Sequence, residues 1–236
     1  MNTKSTVDEI RERFDKDVER FSVLQTGQSA TMDAPLALEL ICTAAAGATP
    51  GAKRLLDVGC GAGNFSLKML EKVPNLDVML VDLSAPMLER AKQRVSAATK
   101  GKVVTVQSDI RELELGAGSF DVLVAGAVLH HLRGDEDWRN VVTKLHRSLT
   151  PRGSFWIWDM VEHDTQAIHA MMMQRFGDHL TNLKDAAYRD EVFAYIQKED
   201  TPRSLLYQVD LMRQAGFRTV EILHKNAVFA AFGAVK

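Results

Sequence analysis

The sequence predicts an α/β fold, a mostly parallel sheet covered by helices on both faces, and three observations lead there. Five short runs, RLLDVG, LDVMLVDL, VVTVQSD, SFDVLVAGAVL and GSFWIWDMV, are largely apolar and alternate with segments of helical spacing. Strands apolar on both faces belong to buried parallel sheets, and the alternation supplies the crossover helices such sheets need. The first run ends in glycines, LLDVGCGAGNF, at the strand end where sheets of this kind bind ligands. The last segment, RTVEILHKNAVFAAFGAV, reads as two strands joined by a tight turn at Lys225-Asn226, so the sheet closes with an antiparallel hairpin.

Taken in order, Val7, Ile10, Phe14, Val18 and Phe21 recur three or four apart and predict one amphipathic opening helix. The polar QTGQSAT follows, and Asp33 caps a second helix through PLALELICTAAA with Pro35 in its first turn. After the glycines NFSLKMLEKV is helical, and SAPMLERAKQRVSAA begins on a Ser84 cap with Pro86 in the first turn. IRELEL reads as a short helix, and DEDWRNVVTKLHRSL as a longer one halted at Thr150-Pro151-Arg152-Gly153. HAMMMQRF and AAYRDEVFAYI make residues 162–200 helical, too long for a simple strand connection and therefore an insertion. TPRSLLYQVDLMRQAGF is a helix stopped by Gly216. The chain divides into a helical cap (1–50), a ligand-binding core (51–161), the insertion (162–200), and a helix with a hairpin (201–236) that completes the core, one domain overall.

A chain of 236 residues, 46% hydrophobic and 25% charged, buries a core without help from disulfides or metals. Its net charge of −2 gives no electrostatic reason to expect a nucleic acid or an anionic membrane as partner. Cys42 and Cys60 lack partners at metal-ligand spacing and suit a reducing compartment. The charged opening has no secretory apolar stretch, and no run approaches the about 18 apolar residues of a bilayer span, so a cytoplasmic protein is expected. Pairing into a homodimer stays open.

The glycine run decides the ligand class. A dinucleotide fingerprint, G-x-G-x-x-G, needs glycine at 64, where this chain has Asn64; its glycines, Gly59, Gly61 and Gly63, are spaced G-x-G-x-G. Asp57, two residues earlier, would repel a pyrophosphate and suits a cationic ligand.

LDVGCGAGNF resembles the first motif of class I S-adenosylmethionine-dependent methyltransferases, and the family's later motifs follow in order from about residue 53 to the end. They are LVDLS with Asp82, QSDI with Asp109, FDVLVAGAVLHHL, LTPRGSFWIWD and the reversed terminal hairpin. The resemblance implies the Rossmann-like methyltransferase fold, a seven-stranded mostly parallel sheet with helical caps at the N-terminus and at 162–200. It also implies S-adenosyl-L-methionine as cofactor, leaving as S-adenosyl-L-homocysteine, and a small-molecule methyl acceptor. Asp82 would hold the ribose hydroxyls and Asp109 would lie beside the adenine. The contact set is completed by Asp57, Gly59, Cys60, Gly61, Asn64, Leu83, Met87, Ser108, Ile110, Gly126 and Ala127. Bland roles compete: Asp109 equally caps the IRELEL helix, Leu83 and Met87 equally pack on the sheet, and Cys60 reads as a small loop residue. Ser84 is the better helix cap, which leaves the Asp82 carboxylate its acceptors.

Methyl transfer is an in-line displacement in which positioning dominates, and a general base is needed only when the acceptor must lose a proton. His130 and His131 follow the fourth strand and are the candidate bases, with His130 ahead by resemblance to small-molecule methyltransferases; the competing reading has them pack and line the cleft. No metal is expected on the pair, because no third or fourth ligand is visible. Acceptor recognition is expected from Phe14, Phe21, Gln28, Trp158, His163, Arg175, Tyr195 and Arg203. Met171, Met172, Phe176 and Tyr188 are further candidates for an apolar lid, although three successive methionines cannot share one face.

Other readings compete. FDKDVERF, the insertion and AGFRTVEILHKNAVFAAFGAVK are similar to carboxy-S-adenosylmethionine synthase, a tRNA-modification enzyme, whose required arginine falls at Leu211 here. A non-catalytic cofactor-binding module and an NAD-linked oxidoreductase complete the field, the latter disfavoured by Asn64.

Overall fold

The computed structural model of the chain describes residues 4–23 and 29–236. The strands are β1 (Arg54–Val58), β2 (Asp77–Asp82), β3 (Val103–Gln107), β4 (Phe120–Gly126), β5 (Leu149–Met160), β6 (Thr219–Asn226) and β7 (Phe229–Val235). They form one seven-stranded sheet in the order β3-β2-β1-β4-β5-β7-β6. β7 runs antiparallel to both of its neighbours, β5 and β6, and the remaining pairs are parallel. The strand order reverses between β1 and β4, which puts a crevice at their carboxyl ends.

The described helices are α1 (Val7–Lys16), α2 (Val18–Ser22), α3 (Ala34–Ala48), α4 (Asn64–Lys72), α5 (Ala85–Ala98), α6 (Asp135–Ser148), α7 (Gln166–Leu183), α8 (Ala186–Glu199) and α9 (Leu205–Ala215). Side chains alternate across each strand, so Leu55, Val122, Val124 and Trp156 pack with α3, α4 and α5 on one face. Leu56, Leu123, Phe155 and Ile157 pack with α6 and α9 on the other. α7 joins the first face through Phe176, whose ring meets Phe229 edge-on at 5.1 Å while Phe229 stacks on Trp158 at 5.6 Å.

Several local expectations are corrected. The opening helix is two helices that part at Asp17; α1 starts on a capping box in which Thr6 and Glu9 exchange hydrogen bonds. Asp33 precedes α3 in the left-handed region (φ 60°) and makes no side-chain cap. Its carboxylate accepts instead from Asn226 Nδ2 and His224 Nε2, both at 2.8 Å, and so pins α3 to the hairpin. IRELEL is a turn, with the amides of Glu112 and Leu113 donating to the Asp109 carbonyl. The Thr150–Gly153 stop lies inside β5, whose register slips there around Arg152 at φ 68°. The hairpin turns at Ala227-Val228, two residues beyond the expected Lys225-Asn226, and Ala227 takes the positive φ.

Phe176 anchors the insertion, so Phe176→Ala should lower the unfolding free energy by about 3–5 kcal/mol, as for other buried phenylalanines. Urea denaturation measures it; a loss below about 1 kcal/mol would show that α7 is not docked through this ring.

Candidate active site

The loop after β1 is built to come close to a ligand. Gly59, Gly61 and Gly63 all have positive φ, and a Cβ on Gly59 would lie 2.5 Å from Val128 Cγ2. A Cβ on Gly61 would meet nothing among the described residues within 4 Å. The loop's amides are already occupied. Cys60 N–H donates to Val81 O (2.9 Å), Gly63 N–H to Cys60 O (2.8 Å) and Gly61 N–H to Asp82 Oδ2 (2.8 Å). A pyrophosphate cradle needs such donors free; here they fix the loop instead.

Asn64, where a dinucleotide loop would carry glycine, donates to Phe21 O (3.1 Å) and accepts from Arg94 (3.0 Å). It thereby ties α2 and α5 to the loop. Asp82 closes β2 with Oδ1 accepting from Ser84 N–H at 2.9 Å. Burial pushes its pKa up, against the pull of these backbone bonds. Each oxygen keeps a lone pair for a further donor. Ser84 caps α5 as expected, its Oγ accepting from Met87 N–H.

These groups line a cavity of about 310 Å³ over the carboxyl ends of β1, β2 and β4. Gly59, Cys60, Gly61, Asn64, Asp82, Leu83, Met87, Ser108, Asp109, Ile110, Gly126 and Ala127 all face it, together with Val128, His131, Arg111, Ser5, Thr6, Val7 and Ile10. An acidic diol acceptor beside apolar Leu83, Met87 and Ile110, with a missing Cβ at Gly61, suits an adenosine better than a phosphate. Asp109 lines the wall but is engaged by Arg111, whose guanidinium forks onto both carboxylate oxygens at 3.0 and 2.6 Å.

Asp57 is the exception among the expected cofactor contacts. It lies beneath the loop, 1% exposed, and Oδ2 accepts from Ser66 N–H (3.1 Å) and Ser66 Oγ–H (2.6 Å). Burial raises its pKa to about 7 despite these bonds. Asp57 therefore props the start of α4 and does not face the ligand, so its charge is no argument for a cationic one.

The loop after β4 forms a single 3-10 turn, Leu129–His131, fastened by Asp159 at the end of β5. Asp159 Oδ2 accepts from Leu129 N–H (2.8 Å) and His130 N–H (3.3 Å), while Oδ1 takes Met160 N–H (2.7 Å) and His130 Nδ1–H. On the far side of the ring, His130 Nε2 lies 3.6 Å from Asp200 Oδ1, and His131 Nδ1 is 3.4 Å from the same oxygen. Burial disfavours charge on His130, but Asp159 and Asp200 outweigh it and raise its pKa to about 9. Standing between these two carboxylates, His130 is favoured in its protonated form. Burial, with the His130 charge next, keeps His131 neutral. Asp159 and Asp200 were missed by sequence reasoning. The signal for the first was a charged residue inside the apolar run WIWDM; for the second there was none, because it follows His131 by 69 positions.

A second cavity, about 410 Å³, is lined by His130, Asp159, Asp200, Arg13, Trp158, Phe176, Tyr188 and Tyr195, and shares Phe14, Phe21 and Ala127 with the first. Of the expected acceptor residues, Phe14, Phe21, Trp158 and Tyr195 are in its wall. His163 is hydrogen-bonded to Lys225 (2.9 Å), Arg203 pairs with Asp135 (2.6 Å), and Arg175 is exposed on α7; none of the three lines it. Gln28 lies outside the described residues. Met171 is exposed and Met172 packs on the core, so neither faces the cavity. Arg13 grips Glu199 through Nε and Nη2 (3.2 and 3.0 Å) and donates to Tyr195 Oη (2.6 Å), fastening α1 to α8.

A parallel sheet of this order with an acidic residue closing β2 and a glycine loop after β1 defines the Rossmann-like methyltransferase fold. Residues 55–153 match the methyltransferase domain model. It is 36% identical over 104 residues to an uncharacterised methyltransferase of Mycobacterium bovis, covering 44% of this chain and 49% of the relative. The chain thus spans about half the length of that relative. It is 24% identical over 189 residues to a carboxy-S-adenosyl-L-methionine synthase of Nautilia profundicola, covering 78% and 77%. Human N-acetylserotonin methyltransferase, solved with S-adenosylmethionine, shares the fold at a TM-score of 0.62 and 17% identity over 96% of this chain and 56% of that one. No helix among the described residues is long and apolar enough to cross a membrane.

Asp57 gives the protein a pH signature. A carboxyl held tighter to its proton in the folded state stabilises fully below its ordinary pKa near 4, and that contribution is lost as pH rises through 7. The unfolding free energy should therefore fall by roughly 1.4 kcal/mol per pH unit across this window through Asp57 alone. Asp57→Asn, whose amide oxygen still accepts from Ser66, should flatten the slope in urea titrations between pH 5 and pH 7; an unchanged slope would refute the assignment.

Proposed function

We propose that the protein transfers a methyl group from S-adenosyl-L-methionine to a small molecule. The observation that carries this reading is that the two cavities share the walls Phe14, Phe21 and Ala127. The first has the groups for an adenosine, and the second begins where the first ends. When bound, the cofactor supplies an electrophilic methyl group on a sulfonium. The chain's own work is alignment and exclusion of water, which supplies up to about 7–11 kcal/mol in well-oriented systems. Asp82 orients the ribose, and the occupied amides hold the glycine loop rigid. α1 and α2, fastened by Arg13 to Glu199 and by Asn64 to Phe21, roof the junction. The described wall of the second cavity suits a small acceptor, with aromatic Trp158, Phe176, Tyr188 and Tyr195 around a charged end formed by Arg13, His130 and Asp200.

The carboxy-S-adenosylmethionine synthase reading draws on the relative in Nautilia profundicola. Against it, Leu211 is buried in the core on the α6 and α9 face and lines neither cavity. Arg213, two residues on, is exposed and pairs with Asp210 at 3.1 Å.

Calorimetric titration tests the cofactor assignment. S-adenosyl-L-homocysteine should bind the parent protein, and Asp82→Ala should weaken it at least about ten-fold, the loss of one charge-assisted hydrogen-bonded anchor. Failure to bind at millimolar ligand, or tighter binding of NADH, would overturn the reading.

A further inference from the structure

The geometry points to a divalent metal site at the junction of the two cavities, formed by His130 Nε2, a ring nitrogen of His131 and a carboxylate oxygen of Asp200. One ligand atom from each lies within 4.8 Å of the others, and Asp200 Oδ1 stands 3.4 and 3.6 Å from the two histidines. Ligands about 2.0–2.2 Å from one first-row cation are separated by roughly 3.0–3.6 Å, so small side-chain rotations close the set.

Two further observations point to a ligand. Asp200 is 5% exposed, and its Oδ1 and both ring nitrogens of His131 are buried without a hydrogen-bond partner among the described residues. Folded proteins seldom leave such groups unpaired, because the loss of water is uncompensated. Asp159, accepting from Nδ1–H of His130, turns the Nε2 edge of the ring toward Asp200. This is the carboxylate–histidine arrangement that orients metal-binding imidazoles.

The scaffold holds the three ligands together although they are far apart in sequence. Thr201 N–H donates to His130 O (2.7 Å) and Thr201 Oγ1–H to Leu132 O (2.6 Å), which locks the end of α8 to the 3-10 turn. Two histidines and one carboxylate leave coordination positions open, and His130 and Asp200 line the second cavity. Resting here on the methyl-transfer reading, the acceptor is then an oxygen nucleophile, an alcohol, enol or hydroxy acid, whose hydroxyl a Lewis acid makes more acidic.

Cobalt(II) chloride titrated into the chelator-treated full chain, followed by its visible absorption, tests the site. One equivalent should bind, with intensity typical of nitrogen and oxygen ligands. His131→Ala and Asp200→Asn should each weaken it about ten-fold or more, with the cooperative thermal unfolding of the folded chain retained. Anomalous scattering from a cobalt-soaked crystal of the parent locates the ion without any substitution. No binding at millimolar cobalt, an ion elsewhere, or undiminished binding in both variants overturns the metal site. Loss of homocysteine-cofactor binding by the parent overturns the methyl-transfer reading instead and leaves the cobalt result standing.

Discussion

The Asp159 carboxylate is the constraint on which the ligand-facing edge of this molecule depends. It sits at the end of β5 in nearly complete burial and accepts from three backbone amides and the His130 ring. A buried carboxylate is costly unless its lone pairs are filled, and once filled it becomes a rigid fastener. Here it converts the loop after β4 into a fixed turn and fixes the orientation of one histidine ring. Asp82 does the same for the glycine loop, through Gly61 and Ser84. Asp57 does it for the start of α4, through Ser66. Acidic residues at the ends of three parallel strands thus each secure a neighbouring segment, and the cavity is the space these secured segments leave.

Rigidity below is matched by closure above. α1 and α2 reach across the strand ends and wall both cavities, and they are fixed at the other end by contacts to α8 and to Asn64. The insertion contributes Phe176, Tyr188, Tyr195 and Asp200 to the acceptor side. Segments outside the sheet therefore supply most of the wall of the second cavity, while the strand ends and their loops supply most of the first. This division explains how one fold can serve many acceptors, and why fold likeness at 17% identity is silent about the substrate.

Much of this was legible in the sequence because it is local. A run of apolar residues ending in G-x-G-x-G, an aspartate closing the next strand, and Ser84 before Pro86 each specify their own geometry within a few positions. Asp33 misled because Ser, Asp and Pro signals predict a cap from neighbours alone, whereas its carboxylate found Asn226 and His224 across the sheet. The hairpin turn was displaced for a related reason: cross-strand register, not the polarity of Lys225-Asn226, places it at Ala227. Asp57 misled more deeply. Its position beside the glycines is right for the motif, but a side chain's direction depends on the strand's pleat, and this one points beneath the loop.

The fate of the glycine loop's amides shows why spacing alone was a weaker argument than it looked. Missing one glycine in a six-residue pattern does not by itself exclude a phosphate; a backbone can offer its N–H groups with Asn64 in place. What disfavours a phosphate is that Cys60, Gly61 and Gly63 have already donated theirs, to Val81, Asp82 and Cys60. Of these bonds the one to Asp82 is decisive, because it spends a donor that a pyrophosphate would need on the carboxylate that a ribose would use. The same hydrogen bond thus argues against one nucleotide class and for the other, and it does so without any appeal to the buried charge of Asp57.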